Sequence, residues 1–252
     1  MSTLRGRVAL VTGSSRGIGA AIARVFAAQG AGVAVQGRDT AALSSVLERI
    51  QNSGGRGISV TAELTDYSEI ERMRGEIEQR LGPVDLLVLN AGGSATRPGP
   101  LEEITEEGWR ASVDGNLTST FLTIKSFLPG MKARRAGNII TMSSAAARRP
   151  HPMSPIPYAA AKSGIQMLTQ HLATQVGPFG IRVNCLAPET ILTERNEAQI
   201  PADIKERLTN EHPIRRLGTP EDVARAALFL ATENSSWVTG VILDVAGGAV
   251  MT

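Results

Sequence analysis

Tyr158 and Lys162 stand four residues apart in Tyr158-Ala159-Ala160-Ala161-Lys162, and Ser144 precedes Tyr158 by fourteen. On a helix, positions i and i+4 share a face, which sets the Lys162 ammonium beside the Tyr158 phenol. A free tyrosine holds its proton up to a pH of about 10, and a nearby cation favours the phenolate. The pair is therefore expected to exchange a proton near neutral pH. The same spacing also occurs on solvated helix faces, so the chemistry depends on what carries these side chains to a ligand.

The N-terminus supplies a candidate. Val8-Ala9-Leu10-Val11-Thr12 is a short apolar run that predicts a buried strand, and it leads into Gly13-Ser14-Ser15-Arg16-Gly17-Ile18-Gly19. The apolar spacing of Ala20 to Phe26 predicts a helix immediately afterwards. Glycines let the backbone turn tightly and approach a phosphate closely, while the first N–H groups of the helix point at the anion. The spacing is Gly-xxx-Gly-x-Gly, not the more familiar G-x-G-x-x-G.

The alternation continues. Further strands are predicted at 33–36, 58–60, 84–89, 138–142, 181–185 and 241–243, and helices at 41–50, 67–81, about 106–134, 156–176 and 220–231. Strands alternating with helices imply a parallel sheet covered on both faces. Ligands in such sheets bind at the carboxyl ends of the strands. Gly13, Asn90, Ser144 and Pro188 all follow predicted strand ends.

Over nearly its whole length the chain resembles the short-chain dehydrogenases/reductases. The resemblance rests on Thr12-Gly13-xxx-Gly17-Ile18-Gly19, Asn90-Ala91-Gly92, Asn116, Ser143-Ser144, Tyr158-xxx-Lys162 and Ile181-Arg182-Val183-Asn184, in that order. It implies an α/β fold with a single Rossmann-type, doubly wound parallel sheet of about seven strands and helices on both faces. One domain spanning 1–252 would carry binding and catalysis, with 189–217 as a substrate lid. In the family mechanism Tyr158 is the general acid of carbonyl reduction or the base of alcohol oxidation. Lys162 lowers its pKa and bonds the nicotinamide ribose, Ser144 polarises the carbonyl, and Asn116 holds a water leading to solvent. From the residues alone, Asn116 would equally fix a helix irregularity and Ser143 would cap a turn.

The implied cofactor contacts are Gly13, Ser15, Arg16, Gly17, Ile18, Gly19, Arg38, Glu63, Leu64, Asn90, Ala91, Gly92, Tyr158, Lys162, Pro188 and Thr193. NAD-specific relatives place an acid at the end of the second strand, where this chain has Gly37. Arg38 follows and Arg16 lies in the glycine loop, so two guanidiniums are expected to converge on a 2′-phosphate, which favours NADP(H). A register shift of two would instead bring Asp39 to the ribose.

Composition fits a soluble cytoplasmic enzyme. No apolar run is long enough to span a membrane, and the first residues carry no secretory signal. Net charge is +2 with acids and bases interspersed, which argues against a nucleic-acid partner. Cys185 is the lone cysteine and reads as a buried thiol. His151, His171 and His212 lack metal-ligand spacing, so no metal is expected. The resemblance also implies a homo-oligomer, tetramer or dimer, packed through the helices at 106–134 and 156–177.

The substrate is less legible. A general ketone or aldehyde reductase using NADPH, or the reverse alcohol dehydrogenase, is the first expectation. A 3-oxoacyl-[acyl-carrier-protein] reductase is the alternative, with Lys132, Arg134 and Arg135 meeting an acidic carrier, although Phe179 stands where such reductases tend to have a second basic residue. A non-catalytic NADP(H)-binding sensor or scaffold is the alternative of another class. Glu189 after Pro188, and Ala246 before Gly247-Gly248, depart from the family pattern. Arg148, Arg149 and His151 beside the pocket would suit an anionic substrate or would simply be solvated.

Overall fold

Four buried apolar residues, Val8–Val11, form strand β1. In the computed structural model, which describes residues 3–251, β1 lies near the middle of a parallel sheet in the order β3-β2-β1-β4-β5-β6-β7. The other strands are β2 (Gly32–Gly37), β3 (Arg56–Thr61), β4 (Leu86–Leu89), β5 (Gly137–Met142), β6 (Ile181–Pro188) and β7 (Ile242–Val245). Helix α1 (Gly17–Ala28), α2 (Thr40–Asn52) and α9 (Pro220–Ala231) cover one face, where Phe26, Val46 and Leu230 are buried. On the other face lie α3 (Tyr67–Leu81), α5 (Ser119–Arg134) and α6 (Ile156–Val176), with Met73, Phe127 and Val176 inside. Burial on both faces is why the central strands β1 and β4 read as unbroken apolar runs, whereas the edge strand β3 alternates.

The chain passes from β1 outward to β2 and β3, then returns across β1 to β4. Adjacent connections therefore leave the sheet on opposite faces beyond the carboxyl ends of β1 and β4, opening a crevice there.

The expected elements are present, several with shifted ends. Strand β6 runs three residues beyond the predicted Cys185, because Leu186, Ala187 and Pro188 pair with Leu243, Asp244 and Val245. Strand pairing, not local propensity, sets that limit. The helical region at 106–134 is divided into α4 (Glu106–Val113), a π turn at Asp114–Thr118 and α5. The Asn116 side chain donates to the Ser112 carbonyl at 2.8 Å within that irregularity. Between β6 and α9, α7 (Glu194–Gln199) and α8 (Ala202–Glu211) stand over the crevice.

Candidate active site

A cavity of about 1060 Å³ opens along the carboxyl ends of the strands. At one end is the start of α1. Gly13 and Gly17 have φ of 60° and 56°, a left-handed conformation that side chains resist, and they bend the loop under the cavity. Asn90 fixes it from β4, its Nδ2 donating to the carbonyls of Thr12 and Gly13 at 3.1 and 3.0 Å. Gln36 fixes it from β2, with Oε1 accepting from Gly13 N–H at 3.1 Å and Nε2 donating to the Ala62 carbonyl at 2.8 Å. Sequence reasoning passed over Gln36. A buried amide ending an otherwise apolar strand was the available signal.

No side chain caps α1, and its first turn contains no acid. Gly17 and Ile18 of that turn line the cavity, so a positive helix end without a cap of its own lies open to an anion. An added Cβ at Gly17 would stand 3.1 Å from Thr193 Cγ2, and one at Gly19 only 2.5 Å from the Gly13 carbonyl oxygen. The cradle is shaped by the lack of side chains and suits a pyrophosphate.

The expected cofactor contacts line this cavity, except Gly19, which lies beneath the loop. The charges there differ from expectation. Arg16 does not converge with Arg38; it pairs with Asp39 at 2.6 Å, while Arg38 lies 3.6 Å from Glu63. Asp39 comes from the turn after β2 and Glu63 from the turn after β3, so each guanidinium meets a carboxylate brought by the next strand end along the sheet. Asp39 also caps α2 by accepting from Ala42 N–H at 3.0 Å. A Cβ at Gly37 would meet Ser15 at 3.3 Å, so this strand end stays bare for structural reasons as well.

At the other end are Ser144, Tyr158 and Lys162. The adjacent serines divide their work. Ser143 is buried and ties α6 to β5, its Oγ donating to the Lys162 carbonyl and accepting from Gln166 Nε2, both at 2.9 Å. Ser144, not Ser143, caps the following turn by accepting from Ala146 N–H at 3.2 Å, and its hydroxyl lies close enough to Tyr158 to favour the phenolate. The fourteen-residue interval from Ser144 to Tyr158 runs through a short 3₁₀ turn at Ala145–Ala147 and the loop before α6.

Lys162 lies on the Tyr158 face of α6, with Nζ 5.6 Å from the ring centre and donating to the Met142 carbonyl at 2.8 Å. The expected lowering of the tyrosine pKa is not what this geometry gives. Burial pushes the Tyr158 phenol up, and the Ser144 hydroxyl opposes it only in part. Burial likewise draws the Lys162 ammonium down to about 8, which weakens the cation that was to stabilise the phenolate.

Asn116 does not line the cavity. Its side chain clasps Gly93, Oδ1 accepting from the N–H at 3.0 Å and Nδ2 donating to the carbonyl at 2.8 Å. A Cβ on Gly92 would stand 2.4 Å from that Oδ1 and 3.4 Å from Lys162 Nζ, so this loop passes tightly between Asn116 and the lysine. Arg148, expected beside the pocket, turns away to Asp244 at 3.0 Å; Arg149 and His151 do line the cavity. Glu189 lines it too, accepting from the Thr190 hydroxyl at 3.2 Å. Ala246 is buried with Ala145 and Val250. Among the described residues no three His, Cys, Asp or Glu side chains group as metal ligands, and no helix is long and apolar enough to cross a membrane.

Comparison with known proteins places this arrangement among relatives. A family model described as enoyl-(acyl carrier protein) reductase matches residues 13–250. The 7α-hydroxysteroid dehydrogenase of Escherichia coli (strain K12) is 36% identical over 247 residues, covering 98% of this chain and 95% of that protein. A 3-oxoacyl-[acyl-carrier-protein] reductase of Chlamydia muridarum is 37% identical over 250 residues, covering 98% of each. The crystal structure of a 3-oxoacyl-[acyl-carrier protein] reductase with bound NAD from Brucella melitensis superposes with a TM-score of 0.89 at 37% identity, over 99% of this chain and 95% of that one. With the glycine cradle and the Ser-Tyr-Lys group at two ends of one cavity, the chain belongs to the short-chain dehydrogenase/reductase family, oxidoreductases acting on hydroxyl and keto groups.

Proposed function

We propose that the protein is an NADP(H)-dependent reductase of ketones or aldehydes that also runs in reverse as an alcohol dehydrogenase. The observation carrying this reading is that Ser144, Tyr158 and Lys162 share a cavity with the uncapped start of α1. The dinucleotide supplies the hydride when bound. Tyr158 gives its phenolic proton to the carbonyl oxygen as negative charge develops there, and takes it back in the oxidising direction. Ser144 donates a hydrogen bond to the same oxygen. Lys162, held by the Met142 carbonyl, contacts the ribose, and Asn116 acts through Gly93 as a positioning residue. Helices α7 and α8 serve as the lid. A soluble cytoplasmic homo-oligomer completes the reading, supported by exposed Phe121 on α5 and Met167 on α6.

Preference for NADP(H) is supported by the bare strand end at Gly37 and by Arg38, whose side chain is 85% exposed and only loosely paired. Asp39 is occupied by Arg16 and by the start of α2, which leaves it poorly placed to receive a ribose hydroxyl. The NAD-bound relative makes NADH the cofactor to exclude.

A second reading, reduction of 3-oxoacyl groups on a carrier protein, is favoured by the exposed end of α5. Lys132 and Arg135 stack over the Phe179 ring at 4.9 and 5.9 Å, so Phe179 gathers cations in place of adding one. Both readings are tested by NADPH oxidation with a β-keto thioester and the matched β-keto ester, repeated with NADH. Strong thioester preference supports the carrier reading, and comparable ester reduction the broader one. Equal use of NADH would remove the NADP(H) assignment.

A further inference from the structure

The half of the cavity beyond Tyr158 has a chemical character of its own. Ile204 and Leu208 lie one turn apart on α8, and Ile200 precedes them by the same interval. All three line the cavity, forming an apolar stripe on the lid, and Met153, 68% exposed, lines it from the loop before α6. An apolar surface left this open inside a cavity is suited to an apolar part of a ligand.

The charges around the cavity are unevenly satisfied. Arg16, Arg38 and Arg148 each face a carboxylate of this chain. Arg149 also lines the cavity; its N–H donates to the Ala145 carbonyl at 3.2 Å, but among the described residues its guanidinium has no ion pair or hydrogen bond. Arg207 on α8 lines it as well, with only a 3.9 Å contact to Glu211. Two acids must be weighed against them. Glu194 follows Thr193, whose methyl faces Gly17, and so belongs to the cradle end. Glu189 follows directly on Pro188 at the end of β6 and is engaged by Thr190. His151 adds no further free acceptor, since its Nδ1 already accepts from Met153 N–H at 3.2 Å. The one unpaired charge on the loop between Ser144 and Tyr158 is therefore cationic.

We infer that the substrate is a ketone, or the corresponding alcohol, bearing an apolar body and an anionic group, the body resting on Ile200, Ile204 and Leu208 and the anion held by Arg149. This rests on the carbonyl-reductase reading and names its substrate class. A planar guanidinium without an internal partner is matched to a carboxylate, sulfonate or phosphate by paired hydrogen bonds. Because Arg149 is exposed, its effect should be modest and sensitive to salt.

The test uses β-benzoylpropionate and its methyl ester, which share the ketone and the aryl body and differ in the charge at the carboxyl end, one methyl group being added. With the wild-type enzyme and reduced cofactor, kcat/KM should favour the acid by about fivefold, falling as salt is raised. The preference should collapse to about one in Arg149→Gln and survive in part in Arg149→Lys. Equal turnover of acid and ester in the wild type, or a preference unaltered by Arg149→Gln, overturns the anion site while leaving the reductase reading in place. Calorimetric binding of the acid and the ester to the cofactor-loaded protein decides the same point without hydride transfer. Failure to reduce either compound, alongside tighter binding of the acid that depends on Arg149, would count against the reductase reading and uphold the anion site.

Discussion

Helices α1 and α9 pack against one another yet begin in opposite ways. At α9 the Thr219 hydroxyl accepts from Asp222 N–H, the Asp222 carboxylate accepts from Thr219 N–H, and Pro220 occupies the first turn. Arg216 then binds the same carboxylate at 2.6 Å and holds it well below the usual carboxylate range. Helix α1 has glycines, no cap and no acid. A helix end needs partners for its N–H groups, and an end in a cavity that supplies neither cap nor acid leaves them to a ligand or to water. The adjacent serines repeat the contrast: Ser143 is used up inside the fold, whereas Ser144 keeps its hydroxyl at the cavity.

The sharpest way to separate groups that serve the ligand from groups that serve the fold is Tyr158→Phe. It should cut turnover by about a thousandfold or more while dinucleotide binding and melting temperature stay near wild type. Residual turnover within tenfold would remove Tyr158 as the acid. In the wild type the raised phenol pKa means that reduction, which needs the phenol, stays level through neutral pH and falls only in the alkaline range. Oxidation, which needs the phenolate, should rise there; opposite slopes in paired pH profiles are the readout.

Lys162 predicts that the site is held at a cost to stability. Its pKa falls from 10.5 to about 8 on folding, so between those values the unfolded chain binds more protons. The stabilising contribution is complete above 10.5 and is lost as pH drops through 8. Relative to Lys162→Met, wild-type stability in urea should therefore gain about 3 kcal/mol across that window, a parallel pair of curves being the contrary result.

A methyl group at the open helix start should act on binding first. Gly19→Ala drives a Cβ against the Gly13 carbonyl and Ser14 backbone, and dinucleotide affinity measured by calorimetry should drop about tenfold to a hundredfold. Unchanged affinity would mean the cradle is not formed by this loop. The smallest effect is expected at the closed start. Asp222→Ala removes the reciprocal cap and the Arg216 contact, costing about 1–2 kcal/mol in unfolding with little change in dinucleotide affinity. A large loss of affinity there would erase the distinction between the two helix ends.

The sequence by itself carried the βα alternation, the glycine turn and the Tyr158–Lys162 face, because each rests on short-range spacing. Helices α3, α6 and α9 begin and end where periodicity and flanking residues place them. Only tertiary structure decided matters that depend on what comes near from far along the chain. Pairing with β7 carried β6 on to Pro188. Asp39, Glu63 and Asp244 claimed three arginines that spacing had left for ligands, and Gln36 and Asn90 arrived from separate strands to hold the glycine loop. Burial, a property of the assembled chain, reversed the expected direction of the Tyr158 pKa. Residue type and spacing fix which groups are available for proton and phosphate chemistry; the fold sets the dielectric and the partners, and these determine which of them stay free.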